Sequence, residues 1–174
     1  MPFTPFHMGP GLLVKALGGR HVSLTVFGFS QVAMDIEPLV RMMRDDVVLH
    51  GFVHTYLGAT LIGLMSAVVG RPICQALLDR WAPGPAATFE AWLRGPKLIS
   101  WPAAIVGALV GTYSHVFLDS VMHSDMQPLA PFSGGNALLG VIGLRALHDG
   151  CVLSAGLGVL LMGAAFVLRR GAAS

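Results

Sequence analysis

Charged residues are scarce in this sequence. Lysine, arginine, aspartate and glutamate make up 11% of its 174 residues, whereas soluble domains carry about 25%. Hydrophobic residues make up 54%. This balance argues against an ordinary soluble domain and predicts an integral membrane protein. The length suits one compact helical unit, so we predict a single domain over residues 1–174.

Cysteine is also rare in this sequence, and there is no cluster of basic residues. Cys74 and Cys151 are far apart and without CxxC spacing, which argues against a thiolate metal site or a disulfide framework. The formal net charge is only +2 and there is no basic run, so we expect no nucleic-acid partner. The N-terminus lacks a basic segment and contains Pro2 and Pro5, so we expect no cleavable signal peptide.

Long apolar segments predict the membrane-spanning helices, which need about 20 residues each. Three segments are clear, at residues 51–69, 99–121 and 151–168. A fourth candidate, residues 22–40, contains Gln31, Asp35 and Glu37, so it either spans or dips into the membrane and returns. Residues 11–18 are predicted to form a short N-terminal amphipathic helix, and residues 71–97 a polar loop. The predicted fold is all-α, a polytopic membrane helical bundle of three to four spans.

The distribution of basic residues predicts the orientation. If all four segments span, eight of the 11 lysines and arginines lie on the side of the 71–97 loop, and Arg41, Arg44 and Arg145 lie on the other. Because positively charged loops are retained in the cytoplasm, we place the 71–97 loop inside. The predicted location is a bacterial inner membrane.

One stripe of ionisable residues lies at the end of the 99–121 segment. His115, Asp119 and His123 are four residues apart, so a helix presents them on one face. Ionisable groups inside a span cost at least ~2.5 kcal/mol each and are usually functional. The alternative for His115 and Asp119 is an internal hydrogen bond that holds the bundle together.

Other polar residues are predicted to lie at the same depth, toward the outer face. Asp35 and Glu37 fall near the outer end of residues 22–40, and His50 and His54 are four apart, which predicts one helical face. Imidazole and carboxylate groups suit Zn²⁺, with Mn²⁺ or Fe²⁺ as alternatives. Such an ion would activate water at neutral pH. A carboxylate outside the ligand set, Glu37 or Asp125, would take the proton.

Three ordered motifs resemble a known family. They read Met34-Asp35-Ile36-Glu37-Pro38, then Leu49-His50-Gly51-Phe52-Val53-His54-Thr55, then Ser114 to Asp119 followed by Pro128-Leu129-Ala130-Pro131-Phe132, with His7 and Gly9 ahead of them. The set resembles the Pro-Asp-x-Asp, His-Arg-Gly-x-Thr-His-Ser and Ser-His-x-x-x-Asp motifs of the YdjM-like family of LexA-regulated, membrane-bound metal-dependent hydrolases.

The resemblance implies roles for individual residues. The implied metal ligands are His7, Asp35, His54, His115 and Asp119. The candidate catalytic residues are Glu37, His50 and His123. The sequence departs from the family where Leu49 and His50 replace a His and an Arg, and where Glu37 replaces an Asp.

The predicted function is a membrane-bound, metal-dependent hydrolase. The depth of the predicted site in the bilayer favours an amphiphilic or lipid-like ester or phosphoester as substrate. Arg41 or Arg44 would steer an anionic head group toward it. Two alternatives stay open. One is a transporter of metal ions or protons that uses the same His/Asp stripe. The other is a non-catalytic membrane protein in which metal or hydrogen bonds only hold helices together.

Overall fold

The structure is a computed structural model that describes residues 5–81 and 98–171. Over these residues all regular structure is helical, which confirms the all-α prediction. Within those ranges we label the α-helices in chain order as α1 (Met8–Gly18), α2 (Leu24–Met43), α3 (Tyr56–Met65), α4 (Arg71–Arg80), α5 (Trp101–Met122) and α6 (Leu144–Gly171). The predicted N-terminal helix is α1, and it begins three residues earlier than expected.

The three apolar spans are confirmed. Five π-helical residues, Ser66–Gly70, join α3 to α4, so that Tyr56–Arg80 is one continuous helix. This helix, Trp101–Met122 and Leu144–Arg169 are each long and apolar enough to cross a membrane. The chain is therefore an integral membrane protein.

The predicted start of the polar loop at residue 71 is wrong, because the helix continues to Arg80. Polar side chains of α4 find partners beside the start of α5. Arg71 Nε donates to the Ile99 carbonyl at 2.8 Å, and its guanidinium lies 4.5 Å from the centre of the Trp101 ring. Gln75 Oε1 accepts from the Ile99 amide at 2.8 Å. The rest of the predicted loop, residues 82–97, lies outside the described residues.

The N-terminal part of the chain forms an antiparallel hairpin of α1 and α2. The hairpin turns through the 3-10 segment Gly19–His21, where Gly19 has a φ of +50°. Ser23 then caps α2 by accepting from the Val26 amide, and its own amide donates to Ala103 near the start of α5 at 3.0 Å. Residues 22–40 thus lie mostly in the second helix of this hairpin. The start of α1 and the end of α2 lie at the same end of the bundle, which we call the open end of the hairpin.

Small residues bring the helices close together. A Cβ on Gly111 of α5 would overlap the Ser30 hydroxyl of α2, and a Cβ on Gly9 of α1 would overlap the Cys151 carbonyl of α6. Helices in lipid associate through such close contacts because apolar surface gains little by leaving the lipid. The tight α2–α5 contact brings the polar residues of these two helices within bonding distance at the open end of the hairpin.

Candidate metal centre

Asp119 lies at the centre of a buried cluster of histidines. Its side chain is 4% exposed, and the histidines around it are five of the seven in the sequence. All five present Nε2 to its carboxylate: His115 at 3.1 Å, His7 at 3.3 Å, His54 at 3.7 Å, His123 at 3.8 Å and His50 at 3.9 Å. The cluster lies where the Tyr56–Arg80 helix begins and α5 ends.

Separate elements supply these side chains. His115 and Asp119 are one turn apart on α5, and His123 is the residue that follows its last turn. His7 ends a 3-10 turn just before α1, and Asp35 lies on the returning α2. The hairpin therefore brings His7 to the cluster, with Asp35 Oδ1 3.5 Å from His115 Nε2.

The prediction that His50 and His54 share one helical face is wrong. His54 ends the 3-10 turn Phe52–His54, and His50 precedes that turn in an irregular segment. Gly51 between them has φ −105° and ψ −143°, outside the helical region. Backbone amides here are taken by side chains instead: Asp125 accepts from the amides of Leu49 (2.9 Å) and His50 (3.1 Å).

A chain of hydrogen bonds fixes the tautomer of His115. Gln31 Nε2 donates to the Gly111 carbonyl at 3.0 Å, which orients the amide of Gln31 so that its oxygen faces His115. That oxygen accepts from His115 Nδ1 at 2.6 Å. Because an amide oxygen can only accept, Nδ1 of His115 carries a proton, and Nε2 is the nitrogen that would bind a metal ion beside Asp119.

Two more imidazoles repeat this arrangement. His54 Nδ1 donates to Glu37 Oε2 at 3.2 Å, and His50 Nδ1 donates to Asp125 Oδ1 at 2.9 Å. In each ring Nε2 is left to face Asp119. Outer acceptors that orient imidazoles in this way are typical of metal-binding histidines.

Several buried nitrogens in the cluster make no well-aligned hydrogen bond, although His115 Nε2 and His7 Nε2 lie 3.1 and 3.3 Å from the Asp119 carboxylate. These are Nδ1 and Nε2 of His7, Nε2 of His54 and Nε2 of His115. Leaving a buried polar atom unpaired costs about 1–3 kcal/mol, so this arrangement needs compensation. A divalent cation at the Asp119 carboxylate would satisfy the Nε2 atoms of His7, His54 and His115, and the mixed imidazole and carboxylate donors suit Zn²⁺, Mn²⁺ or Fe²⁺. The residues present therefore fit a metal ion.

The structure brings all eight predicted site residues together, although their assigned roles stay predictions. Glu37 lies behind His54 and is held by Arg41 Nη2 at 3.3 Å and the Gly51 amide at 3.2 Å. His123 is the most exposed of the five clustered histidines whose side chains contact Asp119, at 30%. The two remaining histidines lie elsewhere: His148 stacks on Phe6, and His21 accepts from Arg20.

Asp125 carries a fixed negative charge at the rim of the cluster. Partial burial disfavours its ionised form, but hydrogen bonds from the His50 ring and from the amides of His50 and Leu49 outweigh that effect. Together they lower the pKa of Asp125 to about 2. The carboxylate therefore remains ionised at any physiological pH and attracts cations to the rim.

Sequence reasoning missed the role of Gln31. Gln31 appeared only as a polar residue in a poor span, and it is 84 positions from His115 along the chain. No spacing rule connects two residues so far apart. One feature of the sequence could have indicated this role. Gln31 precedes Asp35 by four residues, so in a helix it shares a face with a predicted ligand.

Fold and site together define a polytopic membrane protein with a buried histidine and carboxylate cluster able to hold metal. No protein family and no solved structure matches the chain. It is 30% identical over 109 residues to the molybdate/tungstate transport system permease protein WtpB of Thermococcus kodakarensis. That match covers 60% of this chain and 43% of the permease, so the chain spans less than half the length of its relative.

The resemblance to the YdjM-like hydrolase family is therefore wrong. No match to such a family is found, and the named relative is a transport protein. The comparison favours the transporter alternative over hydrolysis, and it gives no support for zinc.

Proposed function

We propose that this protein binds a divalent transition-metal ion at the Asp119 cluster and uses it to hydrolyse an amphiphilic ester or phosphoester. The observation that best supports metal binding is the common orientation of the His50, His54 and His115 rings. Each ring has Nδ1 fixed by an outer oxygen and Nε2 directed at one carboxylate. Buried nitrogens without a well-aligned hydrogen bond at the centre of the cluster favour a bound ion over a set of hydrogen bonds that only holds helices together.

The ligands in this proposal are the most buried members of the cluster, namely His7, Asp35, His54, His115 and Asp119. The ion would supply Lewis acidity and the ability to activate water at neutral pH. The chain itself orients the ligands through Gln31 and Glu37. It also excludes bulk water beneath them, where Met34, Ala59 and Val116 form a buried apolar cluster.

Access to the cluster is from one side. His123 and Asp125 are 30% and 25% exposed at their side chains, whereas the side chains of His54 and His115 are fully buried. The half-buried Arg41 lies beside Glu37 and donates to the Val48 carbonyl at 3.3 Å, next to the segment whose amides Asp125 accepts from. A substrate with an apolar tail in lipid would thus meet the cluster with its polar group at the rim, where Arg41 is placed to attract an anionic head group.

Hydrolysis can be tested with protein purified in detergent and loaded with Zn²⁺ or Mn²⁺. The substrates are a panel of phospholipids and synthetic esters and phosphoesters. We expect turnover by the native chain and by His21→Ala, which alters a histidine outside the cluster. We expect background rates from His115→Ala, because this change removes one ligand. Equal rates in His115→Ala and the native chain would contradict the proposal.

Transport is a second candidate, because the named relative is a permease. The cluster contains several carboxylates, so its cargo would be a cation and not an oxyanion. At the opposite end of the bundle a cavity of about 490 Å³ is bordered by Lys15, Arg20 and His21. Between the two ends, Gly111 packs against Ser30 and Gly63 packs against Leu109, which opposes a continuous path in this conformation.

Flux measurements separate the two functions. Proteoliposomes containing the native chain would be loaded with a zinc-sensitive dye and exposed to external Zn²⁺. If the protein is a hydrolase, we expect the dye fluorescence of these proteoliposomes to equal that of liposomes without protein. Metal-dependent uptake that is lost in Asp119→Ala, together with no turnover of any ester, would replace hydrolysis by transport.

A further inference from the structure

The Asp119 cluster contains more ligands than one metal ion can use. Five imidazoles and the carboxylates of Asp35, Asp119 and Asp125 lie together. Zinc in proteins takes four ligands, and octahedral ions such as Mn²⁺ take six. One ion at the centre would leave several of these ligand atoms unbound to metal.

The side chains divide into two groups of different depth. Asp35, His54 and His115 can supply one set of ligand atoms, and all three are buried. His50, His123 and Asp125 can supply a second set toward the rim, where the side chains of His123 and Asp125 are 30% and 25% exposed and that of His50 is 7% exposed. The two sets share no residue, and within each set the ligand atoms lie within 4.8 Å of one another.

Asp119 lies between the two groups. Its Oδ2 is 3.1 Å from His115 and 3.7 Å from His54, and it is also 3.9 Å from His50. Its Oδ1 is 3.8 Å from His123. One carboxylate thus faces both groups, which is the arrangement of a bridging ligand in a two-metal site.

We propose that the cluster is a dinuclear centre in which Asp119 bridges two divalent ions. The inner ion is held by Asp35, His54 and His115, with His7 beside them at 3.3 Å from Asp119 Oδ1. The outer ion is held by Nε2 of His50 and His123, and Asp125 lies next to these two rings. The outer position is the one that a substrate at the rim would reach. This proposal depends on metal binding at the proposed site, but not on hydrolysis.

Metal stoichiometry tests the dinuclear centre directly. The full chain would be purified without a polyhistidine tag, loaded with excess Mn²⁺ or Zn²⁺ and freed of loose ions by gel filtration. Elemental mass spectrometry then gives ions per chain for the native protein and for three variants. These are His123→Ala at the rim, His115→Ala in the buried group and His21→Ala as a histidine control outside the cluster.

We expect two ions per chain in the native protein and in His21→Ala. His123→Ala should retain one ion, because its side chain is partly exposed and serves only the outer position. His115→Ala should lose the inner ion. Electron paramagnetic resonance of the Mn²⁺ form should show a spin-coupled pair, as for ions about 3.5–4 Å apart, and His123→Ala should show an isolated ion.

One ion or none per native chain would overturn the dinuclear centre. Two ions with an uncoupled spectrum, both unaffected by His123→Ala, would overturn it as well. The substrate panel keeps this result separate from the proposed function. Two coupled ions without turnover would refute hydrolysis alone, and turnover with a single ion would refute the dinuclear centre alone.

Discussion

Gln31 of α2 accepts a hydrogen bond from Nδ1 of His115 on α5 at 2.6 Å. The Gly111 carbonyl holds the Gln31 amide in place at 3.0 Å. A backbone carbonyl on α5 thereby determines which nitrogen of a histidine on the same helix faces Asp119. Metal-binding sites are commonly tuned by such outer hydrogen bonds.

Replacing Gln31 should weaken metal binding without removing a ligand. Gln31→Leu removes the acceptor from His115 Nδ1, so we expect metal affinity to fall by about 10–100-fold. Gln31→Glu keeps an acceptor at the same distance and should retain most of the affinity. Calorimetric titration with Zn²⁺ measures both. Equal affinity in Gln31→Leu and the native chain would show that this hydrogen bond does not orient a ligand.

Glu37 should support His54 in the same way. Glu37→Ala removes the acceptor from His54 Nδ1 and releases Arg41 and the Gly51 amide. We expect metal affinity to fall by about 10–100-fold, with one ion or both still bound at saturating metal. If Glu37 were instead the proton acceptor of the reaction, Glu37→Ala would abolish turnover and leave metal affinity unchanged.

The α2–α5 contact should tolerate no side chain at Gly111. A Cβ there would overlap the Ser30 hydroxyl, so we expect Gly111→Ala to destabilise the protein by about 1–3 kcal/mol. Gly163→Ala on α6 is a matched control, because a Cβ at that position meets no atom within 4 Å. Alanine there should be neutral or slightly stabilising. Thermal unfolding in detergent compares the two variants, and equal melting temperatures would contradict the packing argument.

Asp125 should contribute stability in a defined pH range. Its pKa falls from 3.8 to about 2 on folding, so the folded state favours the ionised form. This contribution is complete above about pH 4 and is lost as the pH falls through 2. We expect Asp125→Asn to lower the melting temperature at pH 6 and to have little effect near pH 2. A difference between the two proteins that does not change with pH would refute this account.

Chelation should lower thermal stability through the cluster alone. A ligand present at 100 times its dissociation constant stabilises the folded state by about 2.7 kcal/mol. We therefore expect a chelator to lower the melting temperature of the metal-loaded native chain. His115→Ala should respond much less. A chelator effect of equal size in both proteins would place the responsible metal outside the Asp119 cluster.

The sequence alone determined the parts of the fold that depend on local pattern. Apolar segments of sufficient length predicted the three membrane spans. The spacing of His115 and Asp119 predicted that both share one face of α5, because residues four apart in a helix must do so. Local pattern failed for His50 and His54, since side chains of Asp125 and Glu37 compete for the backbone amides of that segment.

Only the tertiary structure decided how the cluster is completed. His7 reaches Asp119 because the α1–α2 hairpin turns beside Ala103 and returns, and the Ser23 amide at that turn donates to the distant Ala103 carbonyl. Gln31 meets His115 because Gly111 and Ser30 let α2 and α5 approach closely. Such contacts join residues far apart in the chain. They follow from how helices pack and not from the periodicity of any one segment.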